Sequence, residues 1–373
     1  MQTRFDSVYV HFPFCETKCH YCDFYSIGAK KTAQSDPARF EVALLRETQL
    51  MGPKLAPALS TIFFGGGTPS MTPPETMWRW REEVSKFSAF SPDLEWTMEA
   101  NPSSIEPKKM TEYRSLGINR VSMGVQSLND ELLLLLGRVH SRAKALEALT
   151  HLFEAGFSNV SVDLICGVPG QTVETLLDNL KTLLTFPITH LSCYLLTLPK
   201  HHPLARQMPP EDTQLEHLLR VDEMMTLAGF EHYEVSNYCR PDLKAQHNLR
   251  YWSGSSYLGI GPSAHSYDSA LGTRWKNVSS LHRYAEELEA DRLPIEWTEN
   301  LTPDQRKLEA WMLAVRTTDG YPDSWLISPQ QRSRHEDFVQ KGWVEKHPSQ
   351  PLRWRLTSRG YPLSDPILTS LAL

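Results

Sequence analysis

The chain has 373 residues, 40% of them hydrophobic and 22% charged, with a formal net charge of −6. That composition excludes a disordered or fibrous protein, and the charge gives no general attraction to nucleic acid or anionic lipid. No apolar run reaches the roughly 18 residues of a spanning helix, and "MQTRFDSVYV" enters a strand pattern without room for a signal or transit peptide. A soluble, cytoplasmic protein with no nucleic-acid partner is therefore expected.

In chain order, the strand-like runs "SVYVHF", "TIFFGG", "LEWTMEA", "RVSMGVQ", "NVSVDLICG" and "HLSCYLL" alternate with helical patterns such as "PARFEVALLRETQLM", "PPETMWRWREEVSKF" and "TVETLLDNLKTLL". Gly117 and Gly156 close two of these helices, where a left-handed residue is cheapest. Six β/α units from about residue 7 to 197 predict a parallel α/β sheet, open or curled toward a barrel. In such folds the working residues lie at the C-terminal ends of the strands. The distinctive segments "CETKCHYC", "GGGTPS", "EANP", "GVQS" and "DLICGVPGQ" all fall there. A helix, "EDTQLEHLLRVDEMMTLAGF", and a strand, "EHYEVSNY", follow, then an irregular region rich in Gly, Ser and aromatics. From about Asn300 a helix and a hairpin pattern suggest a small winged-helix-like module. Its 10 Lys and Arg against 8 Asp and Glu, a net of +2, lack the basic face of a DNA binder. The expected units are residues 1–230, 231–299 and 300–373, the last a structural or lid domain.

Cys15, Cys19 and Cys22 crowd one loop, and the next cysteine is Cys166. This spacing favours metal or redox chemistry over a disulfide framework. A structural zinc site needs four ligands, and His11 or His20 could complete one. A cubane iron–sulfur cluster accounts better for three thiolates, leaving the fourth iron open to a small chelating ligand.

"CETKCHYC" matches CxxxCxxC, and the chain thereby resembles the radical S-adenosylmethionine (SAM) enzymes. The resemblance implies a partial (β/α)6 barrel followed here by the winged-helix-like domain. It also implies a [4Fe-4S] cluster on Cys15, Cys19 and Cys22, with SAM on the open iron. It assigns Gly66, Gly67 and Thr68 of "GGGTPS" to the SAM methionine, the bare backbone from Gly65 on permitting close approach. Glu99, Gln126, Arg138 and Asp163 match SAM-contacting positions, as does Tyr9 on the first strand, and Tyr21 would shield the cluster or flank the adenine. A Glu in an apolar strand is costly unless paired, which favours a ligand role for Glu99. Arg138 reads equally well as an exposed helix-end charge, and Tyr9 as a core residue.

Within that family the phrasing resembles the oxygen-independent coproporphyrinogen III oxidases and their sister group of heme chaperones. The oxidases carry a further cysteine where this chain has Phe24, and a long segment before the cluster loop. "HNLRYW" matches the HNxxYW motif of the chaperone group, which implies heme contacts at His247, Tyr251 and Trp252, with His265 and Cys239 as weaker candidates. An imidazole can ligate heme iron, and the two aromatics offer flat surface. The resemblance thus implies heme as cargo and heme-accepting proteins as partners, including transient contact with membrane respiratory proteins. Whether the chain is an enzyme stays open. A chaperone without coproporphyrinogen oxidase activity is expected, and radical decarboxylation of coproporphyrinogen III is the alternative.

Overall fold

The computed structural model of the protein describes residues 4–28 and 36–372. Six parallel strands, β1 (Ser7–Phe12), β2 (Ala58–Gly66), β3 (Ala89–Ala100), β4 (Arg120–Gln126), β5 (Asn159–Cys166) and β6 (His190–Leu195), follow one another in chain order across one sheet. Helices α1 (Pro37–Met51), α2 (Pro74–Ser85), α3 (Pro107–Leu116), α4 (Asp130–Leu135), α5 (Arg142–Glu154) and α6 (Val173–Leu183) make the crossovers. Asp36, Asn129, Ser141 and Thr172 start four of these helices by accepting backbone N–H groups that the first turn leaves free. Gly117 and Gly156 adopt φ of 110° and 86°, as the sequence predicts. This is the expected partial (β/α)6 barrel.

Strand alternation gives each strand two faces. Val8, Val10 and Phe12 are fully buried toward the helices, while Tyr9 and His11 face the barrel lumen. α4 escapes the periodicity because "DELLLL" is too short and too uniformly apolar to show a helical stripe.

Beyond α7 (Glu211–Leu227), the expected single strand "EHYEVSNY" is instead a hairpin of β7 (Glu231–Glu234) and β8 (Asn237–Cys239). A register shift at the turn breaks the alternation that suggested one strand, and β8 lies antiparallel to β6. After α8 (Gln246–Trp252), β9 (Leu258–Ile260) pairs in parallel with β1 at the opposite edge, Gly259 beside Tyr9. The sheet order is therefore β9-β1-β2-β3-β4-β5-β6-β8-β7. Strands β10 (His265–Asp268), β11 (Thr273–Asn277) and β12 (Ile295–Asn300) form a separate antiparallel sheet, with α9 (Leu281–Glu289) between the last two.

The C-terminal module runs α10 (Pro303–Ala314), β13 (Tyr321–Pro322), α11 (Pro329–Gln340), β14 (Val344–Lys346), β15 (Arg353–Leu356) and α12 (Ser364–Ala372). Its strands pair in the order β13-β15-β14, the helix-and-wing arrangement expected from the sequence. Thr302 with Gln305 and Ser328 with Gln331 form capping boxes at α10 and α11. The module has a core of its own around Trp311, Tyr321, Leu326, Val344 and Leu356.

Candidate functional site

Cys15, Cys19 and Cys22 lie on the loop leaving the C-terminal end of β1, all three thiols free and half-buried. Thr68 donates its hydroxyl to Cys15 Sγ at 3.5 Å, and Arg138 Nη1 donates to Cys19 Sγ at 3.3 Å. Burial pushes the Cys15 and Cys22 thiols up, and hydrogen bonds from Thr68 and Ser26 at Cys15, and from the Phe24 backbone at Cys22, act the other way. Of the two histidines near the loop, His11 has both ring nitrogens engaged, Nε2 with the Tyr25 carbonyl at 2.8 Å and Nδ1 with the Tyr9 hydroxyl at 3.1 Å, while His20 is held through one, Nδ1, 3.3 Å from the Leu135 carbonyl. Among the described residues, no three His, Cys, Asp or Glu side chains gather about one point closely enough to hold a single ion. A zinc site would require that convergence. A cluster, which spreads its thiolates over separate irons, suits this donor set better.

Around the thiols the structure gathers several expected residues. Arg138 is no exposed helix-end charge: Nη2 donates to Asn101 Oδ1 at 2.6 Å and to the Gly124 carbonyl at 2.7 Å. Asn101 in turn donates to Thr68 Oγ1 at 3.0 Å. Tyr21 lies against Arg138 and Cys19 and packs on the apolar cluster around Leu132, Leu136 and Ile165. Gln126 ends β4 at φ 66°, a left-handed value that costs energy in a residue with a side chain. It sits at a register shift, its amide beside Gly124.

The glycines after β2 prove to be demanded first by the protein itself. A Cβ on Gly66, already at φ 109°, would lie 2.6 Å from the His11 ring, and one on Gly67 would lie 2.6 Å from the Phe14 carbonyl oxygen. At Gly65 it would meet the Phe63 and Tyr9 rings at 2.8 and 2.9 Å. The Gly66 N–H donates to Glu99 Oε2 at 3.1 Å.

The lumen holds a cavity of about 650 Å3 lined by Tyr9, Gly66, Glu99, Asp163, Arg120 and His265, among others. Burial, reinforced by the Asp163 charge, pushes Glu99 up to about 7, with Gly66 and Arg120 opposing. Asp163 is also raised by burial, against hydrogen bonds from Ser192 and Ser122 and the Arg120 charge. Burial holds Tyr9 protonated, with the Glu99 charge adding to it. Phe24, 68% exposed, stands at the mouth with Asp23 and Tyr25.

Arg120, missed in the sequence reading, is 2% exposed and lies within electrostatic reach of both carboxylates. Its place in "RVSMGVQ", two residues before Ser122 and four before Gly124, is the periodicity that could have assigned it to the lumen. Asn101 gave no such signal, because its partners come from other loops.

The "HNLRYW" segment is α8, and it closes the floor of the barrel. Glu95 accepts the backbone N–H groups of Gln246 and His247 at 2.8 and 2.9 Å, a carboxylate at a helix N-terminus. His247 Nδ1 lies 2.9 Å from Thr61 Oγ1 and 3.2 Å from Ser7 Oγ, and Nε2 lies 2.8 Å from the Tyr251 hydroxyl. Burial, with the Arg250 and Arg120 charges, lowers this imidazole to about 3 and keeps it neutral. Both ring nitrogens are thus engaged, and the fully buried His247 lines neither the lumen cavity nor the groove beyond the helix. Tyr251 lines both the lumen cavity and a groove on the other side of the helix, and Trp252 lines the groove but not the lumen. Cys239 is buried in β8 opposite His190 and lines neither space.

A family model of the radical SAM superfamily matches residues 9–183. The heme chaperone HemW of Mycobacterium tuberculosis is 37% identical over 372 residues, 98% of this chain and 94% of that protein. HemW of Bacillus subtilis is 34% identical over 360 residues, covering 92% and 93%. The mouse protein named radical S-adenosyl methionine domain-containing protein 1, mitochondrial, is 37% identical over 275 residues, 72% of this chain and 62% of that one. The solved structure of coproporphyrinogen III oxidase (HemN) from Escherichia coli superposes with a TM-score of 0.83 at 22% identity, covering 100% of this chain and 91% of that one; at that identity the likeness concerns the fold.

Proposed function

The chain belongs to the HemW family within the radical SAM superfamily, and from that premise we propose that it is a heme chaperone that binds heme and passes it to heme-dependent enzymes, respiratory ones among them. We assign the [4Fe-4S] cluster to Cys15, Cys19 and Cys22, and SAM to the lumen. The observation that supports the assignment is that Asp23, Phe24 and Tyr25, immediately after Cys22 on the thiol-bearing loop, line the same cavity as Tyr9, Glu99, Asp163 and Arg120. When bound, the cluster would supply an electron to a ligand on its open iron.

The chain's own residues do the rest. The Gly66 backbone and Glu99 offer a polar edge to an ammonium group, and Asp163 with Ser122 and Ser192 offers acceptors to hydroxyls. Arg138 ties the cluster loop to Asn101 and β4, so the thiols are held before any ligand arrives. Phe24, where the oxidases have a further thiol, leaves three sulfur donors on the loop. Heme contacts are assigned to Tyr251 and Trp252, with His247 a positioning residue behind them that holds the Tyr251 hydroxyl. The division into residues 1–230, 231–299 and 300–373, and a cytoplasmic location, complete the proposal. Among the described residues no helix is long and apolar enough to cross a membrane.

Transfer tests the reading. Hemin-loaded protein, mixed with the apo form of a heme enzyme, is expected to yield holo-enzyme, followed by the Soret band. Retention of the heme under conditions where the acceptor takes up free hemin would contradict a chaperone role.

A further inference from the structure

On the outer side of α8 lies a second and larger space, a groove of about 940 Å3 between that helix and the C-terminal module. Ligand pockets usually run from about 300 to 1,000 Å3. Trp252, Tyr257, Tyr267 and Trp325 give it flat aromatic walls, and Tyr251 and Tyr257 are shared with the lumen. Four arginines line it, in two kinds. Arg250 pairs with Asp6, and Arg274 with Glu299 and Glu309, so their charge is met by carboxylates. Arg306 donates to the Ser269 carbonyl, and Arg353 to the carbonyls of Asp319 and Gly320. A carbonyl orients a guanidinium without neutralising it, and each guanidinium has five N–H donors to share. Arg306 lies on α10 and Arg353 on β15, so both belong to the C-terminal module.

Charge alone does not separate the groove from the lumen: Asp93, Glu309 and Asp319 also line the groove, and Arg120 and Lys276 line the lumen with Glu99 and Asp163. What sets the groove apart is Arg306 and Arg353, two guanidiniums oriented by carbonyls rather than paired with carboxylates. A flat, largely apolar dianion is what aromatic walls with two oriented guanidiniums recognise.

We propose that this groove is the seat of the tetrapyrrole, its ring against Trp252 and Tyr251 and its two carboxylates on Arg306 and Arg353 of the C-terminal module. The proposal rests on the heme-binding reading above and gives the C-terminal module a role in holding cargo. It also separates the two ligands, SAM inside the barrel and heme outside, with α8 as the shared wall.

The test uses the full chain and two probes, hemin and hemin dimethyl ester, titrated by absorbance into the wild type and into an Arg306→Gln/Arg353→Gln variant. Wild type is expected to bind hemin at least roughly 30-fold more tightly than the ester, the scale of one or two lost charge-assisted hydrogen bonds. The double variant is expected to bind both probes alike, at the wild-type affinity for the ester. Equal affinity of wild type for the two probes overturns the seat, whatever the variant's folding. So does a variant that still prefers hemin as the wild type does. Wild type that binds no hemin at all sinks the heme-binding reading itself, and the seat with it; hemin binding without arginine dependence sinks only the seat.

Discussion

Two histidine–tyrosine pairs lie at opposite ends of the barrel, and they serve different purposes. At the rim, His11 and Tyr9 are joined at 3.1 Å and line the lumen cavity. At the floor, His247 and Tyr251 are joined at 2.8 Å, but Ser7, Thr61 and Glu95 close around the histidine and its backbone. Burial holds both imidazoles neutral, lowered to about 4 and about 3. The same chemistry thus lines a binding space at one end and seals the fold at the other. A distinctive motif such as "HNLRYW" can owe its histidine to the seal and its aromatics to the ligand.

The sharpest way to break this contrast is at the rim. Cys19→Ser is expected to leave little or no cluster after anaerobic reconstitution, by iron and sulfide analysis, with the fold intact. His247→Ala should do the reverse. It should keep full iron and sulfide content and lose roughly 2–4 kcal/mol of stability, because a buried side chain goes and Ser7, Thr61 and Tyr251 lose a partner. The midpoint of denaturant unfolding at constant m-value measures it. A change below about 1 kcal/mol with a lost hemin spectrum would instead make His247 a ligand.

Acidity distinguishes the two ends next. His247 binds a proton in the unfolded chain near pH 6.5 but in the fold only near 3, so its contribution to stability is present above pH 6.5 and is lost toward pH 3. Glu99 has the opposite sign. Its folded value of about 7 against 4.5 means the native state holds the extra proton, so its contribution falls as pH rises from 4.5 through 7. Relative to wild type, Glu99→Gln should therefore gain stability on going from pH 5 to 8, and His247→Gln should flatten the loss between pH 6.5 and 3. Unchanged pH profiles in the two variants would show that neither group titrates as its burial requires. The smallest effect is Tyr251→Phe, about 1 kcal/mol for one hydrogen bond, again read from the unfolding midpoint.

Local pattern made much of the barrel legible. The β/α alternation, the left-handed glycines at 117 and 156 and the cysteine spacing are all short-range features. The hairpin at Glu231–Cys239 and the edge strand at Leu258–Ile260 were not, since each is defined by a partner far along the chain, His190–Ser192 for β8 and Val8–Val10 for β9. At the site, the family resemblance is what named Glu99, Asp163 and Arg138. The sequence did not show how Arg138 is held, because its partners Cys19, Asn101 and Gly124 come from three separate segments. His247 carried the right identity and an incomplete role: nothing in "HNLRYW" reveals that Ser7 and Thr61 wait beneath it.

The most direct test of the chaperone account is a single anaerobic experiment on reconstituted protein with SAM present, titrating hemin by absorbance and then adding coproporphyrinogen III to the same sample. The account predicts saturable hemin binding and no decarboxylated porphyrin. Turnover of coproporphyrinogen, or the absence of any hemin complex, would contradict it.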